Sequence, residues 1–280
     1  MLRPEEAVSH LDWLRENYLD QPNEVSIETL AQCNAACTFC PYPTLDRIGT
    51  KMPDELIYRL VDEMATFSKP FAFSPFKVSE PLLDKRLFSI LDAVNEKVPL
   101  AKTRIFTNGA ALTWGNAEKL SWVNNLELWI SVNSHVKEVY EPLMSLSFDR
   151  MLKNVDQLHG SDFPHPVRLT RVGGDTEFKA FCADRWPHFE AITIKKDAWL
   201  GFTDAENIEI PDTPCARWFE LSVTATGVAS LCCMDSEAAY PIGDVNKNTL
   251  LEIYNAPHWR DRREQMLSRS KVHPCSTCSY

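Results

Sequence analysis

No stretch of the 280 residues is apolar over a length that would span a bilayer or act as an export signal. Residues 1–18 read instead as a polar amphipathic helix, so a cytoplasmic protein with no membrane partner is expected. Positive charge is also scarce: 29 Lys and Arg stand against 39 Asp and Glu, a net charge of −10. A grip on a phosphate backbone rests on clustered Lys and Arg, so nucleic acid is not an expected partner. There is no internal repeat and no low-complexity tract, and 44% hydrophobic with 24% charged residues is the balance of a folded globular chain. The length allows one large α/β domain, alone or with a small appendage. Cysteine is what the chain has in quantity. Nine of them without an export signal point to metal or redox chemistry in a reducing compartment and away from disulfides.

Three of the nine fall within Cys33-Asn34-Ala35-Ala36-Cys37-Thr38-Phe39-Cys40, in a short loop between an alternating segment (Val25, Ile27, Leu30) and a proline-rich turn. Zinc sites usually pair their ligands as C-x2-C with a matching second pair, and this C-x3-C-x2-C triplet has no fourth partner nearby. Three thiolates can instead hold three irons of a [4Fe–4S] cube and leave the fourth iron open to a reactant.

The remainder of the chain alternates strands and helices. Strands are expected over residues 24–30, 71–78, 102–106, 126–132, 167–172 and 191–195, with helices over 52–67, 84–97, 116–123 and 149–159 between them. The second helix of the chain carries Pro53 and the acidic pair Asp54 and Glu55 at its start, and Leu56, Leu60, Val61 and Met64 as its apolar stripe. Repeated strand–helix units with short connections predict a parallel sheet with right-handed crossovers, whose loops converge at the carboxyl ends of the strands. The thiol loop follows the first of those ends. Arg168 and Arg171, on alternate faces of the fifth strand, are candidates to pair with a carboxylate or to form surface salt bridges.

The triplet, with aromatic Phe39 before its last thiol, resembles the cluster loop of radical S-adenosylmethionine (SAM) enzymes. That resemblance implies a partial (β/α)6 TIM-like barrel over residues 21–203, a SAM-binding [4Fe–4S] cluster on Cys33, Cys37 and Cys40, and Phe39 near the adenine. Ser79-Glu80-Pro81 is similar to the family's Gly-Gly-Glu-Pro element with Val78 and Ser79 in place of the glycines, and Glu80 is then the acceptor for the SAM ammonium. Thr107-Asn108-Gly109 is similar to the turn that family members carry after the third strand. Ser131 and Asn133, at the end of the fourth, are SAM contacts by resemblance and ordinary strand-end caps by their residue type.

From 204 to 214 the chain turns acidic and carries two prolines, the best candidate for a linker. A β-hairpin follows over about 219–232, turning at Thr226-Gly227, then Gly243-Asp244-Val245, helical stretches, and a closing Cys275-Ser276-Thr277-Cys278. Four thiolates from Cys215, the hairpin end and the terminal pair would ligate a second [4Fe–4S] cluster, although their number suits zinc as well. Residues 204–280 resemble the SPASM/twitch appendages of the same family, here a small α+β appendage in the short, one-cluster form. The glycine spacing favours Cys232 as the hairpin ligand. Neighbouring side chains on a strand face opposite ways, so either Cys232 or Cys233 could be the one turned to the cluster. Cys182, beside Phe181 and Ala183, reads as a small core residue.

The resemblance implies reductive cleavage of SAM to a 5′-deoxyadenosyl radical, hydrogen abstraction from substrate, and an electron donor such as flavodoxin or ferredoxin. With one auxiliary cluster as electron acceptor, two-electron oxidation of a small polar substrate is expected. Epimerisation with a cysteine as hydrogen donor, or peptide modification, is the alternative, and a metal-stabilised binding protein without turnover is the alternative of another class. A peptide substrate is the less favoured, since the chain has no room for an added leader-binding domain.

Overall fold

The structure is a computed structural model that describes residues 4–174, 176–203 and 210–278. After helix α1 (Pro4–Tyr18), six parallel strands alternate with helices: β1 (Glu24–Ile27), α2 (Asp54–Met64), β2 (Phe71–Ser74), α3 (Leu87–Lys97), β3 (Ala101–Thr107), α4 (Trp114–Ser121), β4 (Leu126–Ser131), α5 (Lys137–Met144), α6 (Phe148–His159), β5 (Val167–Val172), α7 (Thr176–Arg185) and β6 (Glu190–Ile194). Three more strands follow, β7 (Glu220–Val223), β8 (Val228–Ser230) and β9 (Pro241–Asp244), then α8 (Leu250–Tyr254) and α9 (Pro257–Gln265).

The alternation seen in the sequence sorts the two faces of the sheet. Val25 and Ile27 of β1, Ile105 of β3, Leu126, Leu128 and Ile130 of β4 and Leu169 of β5 are buried together with the inward stripes of α2, α3 and α6. Each such side chain contributes about 1.5–3 kcal/mol when fully removed from water. The other face carries Glu24, Arg104, Glu127 and Arg168, joined by Arg104–Glu24 (2.8 Å), Arg104–Glu127 (3.2 Å), Arg168–Glu127 (2.5 Å) and Arg168–Glu190 (2.8 Å). Next to this ladder Phe76, Phe106 and Trp129 stack in a row, with centroids 4.9 and 5.2 Å apart. Residues of β1, β3, β5 and β6 and the chain after β8 all line one cavity on this face, so the sheet curls into a partial barrel.

Beyond the barrel the sheet does not stop. The strand order is β6-β5-β4-β3-β2-β1-β7-β8-β9, and β7 pairs in parallel with β1 from Glu24↔Glu220 to Ile27↔Val223. The appendage expected from residue 204 is therefore, from β7 onward, an extension of the barrel's own sheet. Residues 204–209 of the expected linker lie outside the described residues. The hairpin turns where the sequence placed it, at Gly227, whose φ of +89° and tight approach to Asn246 leave no room for a side chain. Helix α1 packs on this part through Leu11, Leu14 and Tyr18, against Cys215, Trp218, Phe219 and Leu231.

Two expected strands are shorter than their patterns. β1 ends at Ile27 because Glu28 and Thr29 turn inward, and β2 ends at Ser74, before Pro75. Helices α5 and α7 and strand β9 had no strong pattern. α5 contains Pro142, and β9 opens on Pro241.

Candidate active site

Every residue expected in the SAM-binding half meets at one cleft of about 180 Å³ at the carboxyl ends of the strands. Cys33, Cys37, Phe39, Cys40, Glu80, Ser131 and Asn133 all line it, with Asn108, Met144 and Trp199. The thiol loop is strapped to the end of α5 by Ala36 N–H to Met144 O (3.2 Å) and Thr38 N–H to Leu143 O (3.1 Å). Asn108, from the turn after β3, holds it from the other side, donating to Asn34 Oδ1 (2.8 Å) and lying 3.8 Å from Cys33 Sγ. That turn closes on Gly109 at φ +77°.

Glu80 is 2% exposed. Its carboxylate accepts from Thr107 Oγ1 and the Asn108 N–H, each at 2.8 Å, and from the Leu82 N–H at 3.2 Å. Burial nevertheless pushes its pKa up to about 7 against these donors. Val78 needs no glycine here: its side chain is buried against Tyr42 and Leu45, beside Cys33 and Cys40, and neither it nor Ser79 has a positive φ. Asn133 sits at φ +59° with its amide engaged, accepting from the Val172 N–H (2.9 Å) and contacting Met144 Sδ (3.2 Å). Of the two arginines of β5, Arg168 belongs to the ion ladder and stacks on Trp129, while Arg171 donates to the Asn133 carbonyl at 2.7 Å. Neither lines the cleft.

Burial raises the pKa of Cys33 to about 11 and that of Cys37 to about 12, with repulsion between the thiols adding to the second. Iron binding would release these protons. The pocket also suits a sulfide-rich group. The Tyr140 hydroxyl, 0% exposed and within electrostatic reach of Cys37, has no hydrogen-bond partner among the described residues, and a cluster sulfide or thiolate would supply an acceptor.

Cys215, Cys232, Cys275 and Cys278 come together around a second, closed cavity of about 10 Å³, with Arg217, Trp218 and Arg269 in its wall. All four thiols are buried, and burial raises Cys215 to about 12. The Trp218 indole N–H is buried without an acceptor among the described residues. Cationic side chains and a spare N–H fit an anionic cluster with exposed sulfides. Among the described residues no three His, Cys, Asp or Glu side chains converge as they would on a single metal ion.

Cys233 turns the other way. It lines a third cavity of about 250 Å³ inside the barrel, with Glu24, Ser26, Lys77, Lys195, Asp197 and Arg217. This cavity shares Phe39, Phe76, Lys77, Phe106 and Trp199 with the SAM-side cleft. The doublet lies beyond β8, in the turn that follows it, and that turn sends Cys232 to the closed cavity and Cys233 to the open one. Cys182 is at neither. It is buried in the main core on α7.

Sequence reasoning missed the residues that join these cavities. Glu28, wholly buried, accepts from Arg47 through both oxygens (2.6 and 3.1 Å), from the Val78 N–H (3.2 Å) and from the Ala225 N–H (3.1 Å), and Arg47 also donates to Ser236 O (2.5 Å). Lys77 Nζ donates to Ser230 Oγ (2.8 Å), Cys232 O (3.0 Å) and Ser222 Oγ (3.2 Å) and lies 3.4 Å from Cys233 O. Burial pulls its pKa down, and the Cys233, Cys232, Asp235 and Glu28 charges pull it back up. The one signal in the sequence was position, since Lys77 lies three residues before Glu80.

Residues 27–180 match the Radical SAM superfamily, and residues 215–279 match SPASM, an iron-sulfur cluster-binding domain. The first match takes in more than half of the chain, and the protein belongs to the radical SAM superfamily. Its cofactors are SAM, a SAM-binding [4Fe–4S] cluster in the core and an auxiliary cluster in the C-terminal region.

Among individual relatives, the chain is similar to the S-adenosyl-L-methionine-dependent 2-deoxy-scyllo-inosamine dehydrogenase of Niallia circulans. The two are 25% identical over 146 residues, 52% of this chain and 54% of the relative, so the match spans about half of that protein's length. Its fold is similar to that of BtrN in complex with AdoMet and 2-DOIA, at 18% identity and a TM-score of 0.67 over 92% of this chain and 93% of that one. Streptococcus suis SuiB bound to the precursor peptide SuiA gives 15% identity and a TM-score of 0.69 over 98% and 74%. The anSMEcpe structure with bound AdoMet gives 15% and 0.64 over 90% and 82%. At these identities the structural likeness is one of fold. No helix among the described residues is long and apolar enough to cross a membrane.

Proposed function

We propose that this chain oxidises a small polar substrate by two electrons, with the auxiliary cluster as acceptor of the second. The observation that carries this reading is the split doublet: Cys232 borders the closed cavity and Cys233 the open one, so a single turn of backbone separates substrate from electron acceptor. The third cavity, inside the barrel, mixes aromatic Phe39, Phe76 and Phe106 with charged Glu24, Lys77 and Asp197, a lining that suits a small polar ligand. When bound, SAM on the reduced core cluster supplies a 5′-deoxyadenosyl radical able to take hydrogen from an unactivated C–H bond.

The chain's own residues have these roles. Cys33, Cys37 and Cys40 hold the core cluster and leave one iron for SAM. Glu80 takes the SAM ammonium on a carboxylate already aimed by Thr107 and Asn108, Phe39 packs near the adenine, and Ser131 and Asn133 border the rest of the nucleoside. Cys215, Cys232, Cys275 and Cys278 hold the auxiliary cluster. Phe76 and Phe106, the latter backed by Trp129, wall the substrate cavity on one side and keep water from the reacting carbon. Residues 21–203 then act as the radical-generating core and 204–280 as the accepting end. A flavodoxin or ferredoxin is the electron donor, and the reaction belongs to the cytoplasm.

A second reading has an observation of its own. The Cys233 thiol faces the substrate cavity and is left over from both ligand sets, which suits a hydrogen donor in an epimerisation.

The test is 5′-deoxyadenosine formation by anaerobically reconstituted protein, SAM and a strong reductant, with small-molecule and macromolecular fractions of a cell extract as stimulants. The small-molecule fraction should stimulate, and an oxidised product should accumulate one-for-one with deoxyadenosine. Stimulation by the macromolecular fraction alone would replace this reading with a peptide or protein target. One-for-one formation of a product isomeric with the substrate would replace it with epimerisation.

A further inference from the structure

Lys77 is 4% exposed, yet among the described residues no carboxylate lies within ion-pair distance of it. Its hydrogen-bond partners are acceptors. The carbonyls of Cys232 and Cys233 can only accept. Ser230 Oγ lies 3.0 Å from Cys232 O and 3.2 Å from Ser222 O, so its own proton is turned to a carbonyl and it receives one from Lys77. With Ser222 Oγ this arrangement takes up all three protons of an ammonium.

The acidic groups that act on Lys77 are occupied elsewhere. Glu28 is paired with Arg47. Asp235 accepts from the N–H groups of Ala239 (2.8 Å), Tyr240 (3.0 Å) and Leu231 (3.4 Å). A buried cation without a counter-ion is costly, and chains keep one only where a charge of opposite sign offsets it. Lys77 is bonded to the Cys232 carbonyl and lies within electrostatic reach of the Cys233 and Cys232 thiols, so the cluster that Cys232 would help to hold is an anion on its side of the wall.

Resting on the proposed ligand set of Cys215, Cys232, Cys275 and Cys278, we infer that Lys77 is the counter-ion of the auxiliary cluster and raises its reduction potential, making it the better acceptor of a substrate electron. Positive charge beside a cluster favours the more negative, reduced state, and in a low-dielectric interior the effect is large. Lys77 also holds both carbonyls of the doublet, which keeps Cys232 turned to the cluster and Cys233 turned to substrate. It is a positioning residue that borders the substrate cavity without supplying the reacting atoms.

The experiment is a redox titration of the auxiliary cluster followed by electron paramagnetic resonance. It uses the full chain carrying Cys33→Ala, Cys37→Ala and Cys40→Ala, so that only the auxiliary cluster contributes signal. Lys77→Gln keeps hydrogen-bond donors and removes the charge, Lys77→Met removes both, and Lys77→Arg keeps the charge. The midpoint potential should fall in Lys77→Gln and Lys77→Met and stay near that of the parent in Lys77→Arg. Iron lost from the two neutral variants and retained in Lys77→Arg would also support the counter-ion role.

An unchanged potential in Lys77→Gln at full iron content would overturn the inference, leaving Lys77 a structural strut. Iron lost from all three would overturn it as well, since side-chain shape and not charge would then be what the site requires. If the parent with Lys77 intact holds no iron that Cys215→Ser removes, the ligand set fails and not the role of Lys77.

Discussion

The two thiol-lined cavities use one kind of donor in opposite settings. Around the SAM-side cleft three half-buried thiols share the wall with polar groups and aromatics, and the space opens toward the cavity inside the barrel. Around the closed cavity four buried thiols and two arginines enclose less than half that volume. Three donors and room beside them suit a metal centre that must take a reactant. Four donors and no room suit one that only exchanges electrons. The difference lies in what the protein leaves out: at the first site a fourth ligand, at the second a path for anything larger than an electron.

That contrast breaks most completely at Cys37. Cys37→Ala should abolish SAM cleavage while the iron of the C-terminal site survives, so that total iron falls by about half in an analysis of reconstituted protein. A loss of all iron would show that the two sites assemble as one.

The next effect separates neighbours. Cys232→Ser should lose the auxiliary cluster and oxidised product while some deoxyadenosine still forms. Cys233→Ser should keep the iron of both sites. Iron analysis beside product assay distinguishes these outcomes, and the reverse pattern would exchange the roles of the doublet.

Glu80→Ala sharpens the first site alone. It strands the buried N–H groups of Asn108 and Leu82 and should cost about 2–4 kcal/mol of stability in urea denaturation of the metal-free chain, with weaker SAM binding in the loaded protein.

The smallest effect lies under both sites, in the barrel's ion ladder. Burial raises the pKa of Glu127, but the hydrogen bonds and charges of Lys102 and Arg168 outweigh it and hold the carboxyl at about 2 against an ordinary 4.5. A folded-state pKa below the unfolded one means stability that is fully present above pH 4.5 and is lost as pH falls toward 2. Denaturant midpoints measured across that window should fall less steeply in Glu127→Gln than in the parent.

Much of this was legible in the sequence because the governing distances are short. Cys33, Cys37 and Cys40 declare themselves by spacing, and β3 to β5 by an alternation that one packed face imposes. Helix α5 was hidden by Pro142, which argues against a helix although α5 tolerates it near its end. The partnerships between halves of the chain were not legible at all. Glu28 meets Ala225, and Lys77 meets Ser222 and Cys232, because β7 pairs with β1 from far along the chain. In sequence both residues look like ordinary solvated charges. Which of Cys232 and Cys233 faces the closed cavity likewise depends on the turn that follows β8, which local pattern leaves open. The sequence likeness to the Niallia circulans dehydrogenase covers only half of that protein, and the remainder of the reading rests on residues in place.

The pairing of β1 with β7 governs when the protein can come together as well as how. Residue 24 is matched to residue 220, so one edge of the first strand stays without its neighbour until almost four-fifths of the chain has been synthesised. Contacts so distant in sequence close slowly, and an unpaired strand edge invites mispairing in the interval. Because Cys232 follows β8, the strand that pairs with this late one, the wall between the closed cavity and the barrel is finished only as the sheet itself is completed. A growing chain therefore holds the three thiols of the first site long before it has a wall for the second, and its assembly runs in the order in which electrons would later travel.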